Sequence, residues 1–244
     1  MRNAILLGLI LAAACGDNGA NDTDGPGAPA DAAPDTPIDA APMPTALAHT
    51  LFLATEGVDM SPGGDDATTN TTSIAAHAAT VGPYLANDAA RTTKIAALVT
   101  DLQGVVAPYD ITVTTTRPAA GPYTMIVITD DTSTALVGTG GVEFVVPQIC
   151  TPAHEGASEV AFEFTAGPRT AYTVEQQALA MFASLQQIPA TTRAGDCMLW
   201  SGASLSAICT IGGAGTQTDS QPNCAGASTI DEGAQFLATF GAHP

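Results

Sequence analysis

Residues 16–46 decide how much of this chain can fold. The stretch consists mainly of Gly, Ala, Asp, Pro, Asn and Thr, with Pro-Asp-Thr-Pro and Asp-Ala-Ala-Pro units. It holds Asp17, Asp22, Asp24, Asp31, Asp35 and Asp39 and no basic residue. Its apolar surface is too small to offset the entropy of ordering its backbone. Prolines and like charges keep such a chain extended. The sequence therefore predicts a disordered acidic linker over 16–46 and confines the folded domain to 47–244.

The first residues read MRNAILLGLILAAAC. One basic residue, Arg2, precedes an apolar run that is too short for a permanent membrane span and fits a secretory signal peptide. The ending Leu11-Ala12-Ala13-Ala14-Cys15 resembles a bacterial lipobox, with leucine one place further from the cysteine than usual. That motif implies lipidation at Cys15 and a signal peptide over 1–15. The linker then becomes a stalk. The expected location is the cell envelope, as an outer-membrane or cell-surface lipoprotein touching the membrane through its lipid anchor only.

Charge narrows the partners. Setting aside the six linker aspartates and Arg2 from the 24 acidic and 6 basic residues leaves 18 and 5, a net −13. Such a surface repels phosphates, so no nucleic-acid partner is expected. Solubility is the plain reading of the excess, with attraction of cations a further consequence.

Beyond Cys15 the chain has four cysteines, Cys150, Cys197, Cys209 and Cys224. An even number in an exported chain suggests two disulfides, with three pairings open. The Gly/Thr/Ser/Asn-rich stretch between Cys209 and Cys224 favours closure by that pair, leaving Cys150 for Cys197.

Periodicity gives the order of elements. Residues 49–55 (HTLFLAT) read as a short strand and 57–73 as a turn-rich loop. Residues 87–106 carry Ala90, Ile95, Leu98, Val99 and Leu102 at helical spacing, with Asn87 or Asp88 as cap. Strands follow at 109–116, 123–129 and 142–146, the second apolar enough to be central. Residues 159–165 (EVAFEFT) alternate, predicting a half-exposed strand with acids outward. A helix over 173–188 places Val174, Ala178, Met181, Leu185 and Ile188 on one stripe. A short helix lies within 229–241, capped by Ser228 or Thr229, with Glu232 in its first turn. The expected fold class is α/β (α+β): a mixed sheet with a small disulfide-held C-terminal part.

Several pieces recur together in one known group. They are Gly57-Val58-Asp59, the Gly64-Asp65-Asp66-Ala67 loop with Asn70 and Ser73, Ala107-Pro108-Tyr109-Asp110, Arg117-Pro118, the Tyr123 strand, Cys150 and Asp196-Cys197-Met198. In this order the chain resembles secreted bacterial zinc peptidases of the metzincin type, matrixin-like. The resemblance implies a zincin-like mixed sheet, an active-site-type helix at 173–188 and a methionine turn at Met198. Such peptidases bind zinc through HExxHxxGxxH, two histidines one helical turn apart and a third after a glycine turn. Those positions fall here on Gln177, Ala178, Met181, Ser184 and Gln187. Amides and a thioether are poor zinc ligands beside imidazole. The resemblance thus implies a degenerate member without catalytic residues. A core helix matching by chance is the competing reading.

Other chemistry is weaker still. The four histidines, His49, His77, His154 and His243, have no metal spacing among them, and His154-Glu155 has Ser158 where a second histidine is needed. The cysteines lack CxxC pairs, so no structural zinc is expected. Gly202-Ala203-Ser204-Leu205-Ser206 lacks the second glycine of a nucleophile elbow, and Gly138-Thr139-Gly140-Gly141 lacks the rest of a phosphate loop. Asp65, Asp66 and Asn70 offer oxygens of the kind calcium takes, though not at EF-hand spacing, and a solvated turn is the simpler reading. Asp130-Asp131 reads as a turn after a strand. Asn70-Thr71-Thr72 matches a glycosylation sequon, which we read as chance. The expectation is a surface lipoprotein with an inactive metallopeptidase-like domain that binds a protein or peptide. The alternatives are an active zinc peptidase with unrecognised ligands and a structural envelope protein without a ligand.

Overall fold

A computed structural model describes residues 49–147, 158–166, 173–193, 195–199, 209–212, 214–216 and 229–244. Expectations for the signal peptide, Cys15, the linker, Cys150, His154, 202–206 and Cys224 fall outside these residues.

A five-stranded sheet organises the domain. It comprises β1 (Thr50–Ala54), β5 (Thr112–Thr114), β6 (Thr124–Thr129), β7 (Phe144–Val145) and β8 (Val160–Phe164), in the order β5-β1-β6-β8-β7. β1 runs parallel to β5 and β6, and β6 parallel to β8; β7 closes one end antiparallel to β8. Parallel neighbours need crossovers, and α1 (Arg91–Val106) and α3 (Val174–Leu185) pack on one face of the sheet. The chain is thus a mixed α/β domain, as its pattern predicts.

Alternation along the strands sorts side chains between two cores. Leu51, Leu53, Ile126, Ile128 and Ala161 face the helices and join residues of α1, α3 and α4 (Glu232–Phe240). Phe52, Ala54, Met125, Val127, Phe162 and Phe164 face the opposite side. There they meet β2 (Val58–Pro62), β4 (Ala79–Val81) and α2 (Thr134–Val137) through Met60, Val81 and Leu136. Both faces being covered explains the six buried positions of β6, whose central place the apolar run foretells.

The same covering corrects the reading of EVAFEFT. All five residues of β8 are buried, and Glu159 and Glu163 are 0% exposed. Alternation marked two faces, but neither is the solvent face, because β8 lies between β6 and β7 with a core on each side.

Smaller differences have local causes. The loop at 57–73 contains β2 and β3 (Thr71–Thr72), which with β4 form a three-stranded sheet in the order β3-β2-β4. It starts at Gly57, whose φ of +86° and close approach to the Val81 carbonyl leave no room for a Cβ. α1 begins at Arg91 rather than 87. Asp88 spends its carboxylate on the Ala90 N–H and the Lys94 ammonium, forming a turn ahead of the helix. Its buried stripe is Ile95, Leu98, Leu102 and Val106. In α4 the cap is Asp231, which accepts the Ala234 N–H at 3.0 Å; residues 229–231 are instead β10, paired antiparallel with β9 (Ala214–Thr216). No helix among the described residues is long and apolar enough to cross a membrane.

Phe162 is fully buried and stacks at 6.2 Å on Phe164, whereas Leu237 is 48% exposed. Phe162→Ala should cost about 3–5 kcal/mol and Leu237→Ala less than about 0.5 kcal/mol, read from urea unfolding midpoints.

Candidate functional site

The helix that the resemblance singles out is enclosed. Every residue of α3 from Gln176 to Leu185 is buried. No charged side chain occurs in that stretch, and a helix without a charged face belongs inside a domain. The single stripe predicted for it is therefore too narrow. Leu179, Ala180, Phe182 and Ala183, on the other faces, are covered as well, and Phe182 stacks on Phe240 of α4 at 5.3 Å.

The positions that would carry zinc separate. Ala178 and Met181 lie in the apolar core with Met198. Gln177 directs its amide to Glu143, just ahead of β7, with Nε2 3.5 Å from Oε2. Ser184 is still helical and 1% exposed, so the chain does not turn where the glycine of a zinc helix would stand. It turns at Gln187, whose φ is +61°. There the Ile188 N–H reaches back to the Ala183 carbonyl at 2.9 Å, a closure that usually employs glycine. Thr173 caps the other end, accepting the Gln176 N–H at 3.2 Å.

Met198 lies on a tight turn held by Asp196. The Asp196 Oδ1 accepts the Met198 N–H at 2.9 Å, and the Met198 carbonyl accepts the Thr191 N–H at 3.0 Å. Arg193 Nη2 lies 3.0 Å from Asp196 Oδ2, and Gln176 of α3 donates to the Asp196 carbonyl at 3.3 Å. Asp196 is 0% exposed, as is Glu232 in the first turn of α4. Burial, then the neighbouring Asp196, push the Glu232 carboxyl up to about 10, against a smaller pull from Arg193. Only the dipole-favoured place of Glu232 is legible in sequence. Its burial depends on how α4 packs.

A disulfide joins Cys197 to Cys209, with Cα atoms 4.9 Å apart. This corrects the expected pairing of Cys209 with Cys224 and of Cys197 with Cys150. The Cys197 N–H donates to the Thr210 carbonyl and the Thr210 N–H to the Gly195 carbonyl, each at 3.1 Å, laying 195–197 beside 209–210. Loop composition carried no information about that alignment.

The oxygen-rich loop is a structural staple. Asp65 accepts the Thr72 hydroxyl, the Ser73 N–H and the Ser73 hydroxyl at 2.7–2.8 Å. Asp66 accepts the Thr68 N–H and hydroxyl. Slight burial would raise its carboxyl, but these bonds outweigh it and hold the carboxyl below its usual value. Asn70 Oδ1 receives the Arg117 guanidinium at 2.5 Å, and Arg117 also bonds the Ala67 carbonyl. Asp130 and Asp131 likewise serve backbone groups, taking the Ala86 and Gly82 N–H. Among the described residues no three His, Cys, Asp or Glu side chains form a group that could hold a metal ion. Compared with family models, curated proteins and solved structures, the chain matches none.

Glu159 gives the domain a pH dependence. Burial, then the charge of Asp65, raise its carboxyl to about 8. An acid whose folded value exceeds its unfolded one stabilises fully below the unfolded value of 4.5 and loses that contribution as pH rises towards 8. Replacing Glu159 by Gln should flatten the thermal-midpoint profile between pH 5 and pH 8. Non-reducing peptide mapping should recover the Cys197–Cys209 bridge, and removing both sulfurs by serine substitution should cost about 3 kcal/mol for a loop of this length.

Proposed function

We propose that the chain is a surface-anchored lipoprotein whose zincin-like domain has no peptidase activity and binds a protein or peptide. The burial of α3 carries this reading. A peptidase helix must present its ligands to a metal, a water and a substrate at once. In this chain Ala178 and Met181 occupy the apolar core, with Met198 in the same core. The framework pieces that resemble the peptidases remain while the ligand positions serve packing.

The sheet order supports a place for binding. The sheet ends at the antiparallel strand β7, and Glu143 beside it touches Gln177 of α3. A peptide laid along that end as a further strand would gain main-chain hydrogen bonds, with side-chain pockets adding selectivity.

Metal analysis by plasma mass spectrometry of the chain made in an oxidising compartment, away from chelators, tests the non-catalytic part. Well below one zinc per chain is expected, with no chelator-sensitive cleavage of unfolded protein. Near-stoichiometric zinc with such cleavage would show an active peptidase instead. Peptide display against the immobilised protein tests the binding part: enrichment of extended peptides with alternating apolar side chains is expected. Failure to enrich any would favour a structural envelope role.

A further inference from the structure

Arg117 is a cation without a counterion. Of the six basic residues in the chain, the structure describes Arg91, Lys94, Arg117 and Arg193. Three of these lie against a carboxylate: Arg91 on Glu56 at 2.9 Å, Lys94 on Asp88, and Arg193 on Asp196 at 3.0 Å. Arg117 has no such partner among the described residues. Asp66, in the adjoining loop, gives its carboxylate to the Thr68 N–H and hydroxyl instead.

The contacts of Arg117 are all neutral. Nη1 donates to the Ala67 carbonyl at 3.1 Å, and Nη2 to Asn70 Oδ1 at 2.5 Å and to Met125 Sδ at 3.4 Å. The guanidinium carbon lies 5.6 Å from the centre of the Phe52 ring, a cation–π contact. Ala67, Met125 and Phe52 are buried, and the Ala67 carbonyl also accepts the Tyr123 hydroxyl at 3.1 Å. The anchors are therefore fixed. They hold the guanidinium in place without cancelling its charge, and they do not exhaust its N–H donors.

The side chain is exposed and borders a pocket of about 380 Å³ lined also by Thr68, Pro118, Ala119, Ala120 and Gly121. Pro118 and Pro122 restrict the backbone that forms its far wall, and Gly121 turns there with φ of +87°. Among the described residues no acceptor takes the N–H of Ala119, Ala120 or Gly121, and no carboxylate lines the pocket. A held cation and free main-chain donors thus meet in one concave place.

We propose that the Arg117 pocket binds a carboxylate, supplied by a small organic acid or by the C-terminal end of a peptide. The guanidinium and the N–H groups of 119–121 donate charge-assisted hydrogen bonds to its oxygens. The net charge of −18 chooses the anion, because the surrounding field repels a dianion such as phosphate more than a monoanion. The site shares no residue with the β7 end of the sheet.

Amide NMR titration of the full, disulfide-intact chain tests the site at constant ionic strength. The probes are acetate, N-acetyl-trialanine, the C-terminal amide of that peptide, and phosphate. The two carboxylates should give saturable shifts at Ala119, Ala120, Gly121 and the Arg117 Nε–H, and the peptide amide none. Tighter binding of N-acetyl-trialanine than of acetate assigns the carboxylate to a peptide end; equal or weaker binding assigns it to a small acid. Ala120→Glu changes an exposed residue and supplies a carboxylate from the chain itself, so it should remove the shifts and leave the fold intact. Arg117→Gln should remove them too. Absence of saturable shifts with both carboxylates would overturn the proposal, as would equal shifts with the peptide amide, tighter binding of phosphate than of acetate, or unchanged binding in Ala120→Glu. Should Arg117→Gln not fold, the wild-type titrations and Ala120→Glu decide.

Discussion

The enclosure of α3 is the constraint on which the rest of the domain depends. One helix lies against β6 and β8, beside α1, and under Phe240 of α4. A surface helix can change one face without disturbing its neighbours. This one cannot, because Gln176 to Leu185 leave no side to water. Close packing around small residues such as Ala178, Ala180 and Ala183 lets the surrounding elements approach. A metal-binding helix of the same length would require space at the positions that this chain fills.

Polar groups then fall into two kinds. In the 63–73 loop, carboxylates accept hydrogen bonds from hydroxyls and backbone N–H of nearby residues, and Arg117 anchors the loop to Ala67 and Asn70. A chain with 24 acidic and 6 basic side chains cannot match its carboxylates with cations, so hydroxyls and main-chain donors take that part. Around the turn that carries Met198 the shortage is sharper. Asp196 has the Arg193 guanidinium 3.0 Å away, and burial pushes the Glu232 carboxyl up. The same composition thus produces stapled loops at the surface and buried carboxyls inside.

Much of the fold is legible in the order of residues. The central strand at 124–129 follows from an unbroken apolar run, and α1 from Ile95, Leu98 and Leu102 at helical spacing. The candidate helix appears where its periodicity places it. Its surroundings do not. The pattern of α3 admits one buried stripe or burial all round, and only the packing of α1, α4 and the sheet distinguishes them. EVAFEFT looks half-exposed because alternation says which residues share a face, not whether that face meets water. β8 is central enough that Glu159 and Glu163 are both hidden.

The sequence by itself determined the mixed α/β class, the approximate strands and helices, and the absence of histidines from the helix, since these rest on local periodicity and residue chemistry. Only the tertiary structure decided that Cys197 meets Cys209, that Gln187 rather than Ser184 makes the turn after α3, and that Glu232 is buried. Each of these joins residues or turns whose geometry is set by packing between elements. Long-range contacts depend on how apolar faces close on one another, and a pattern read along the chain records the faces but not their partners.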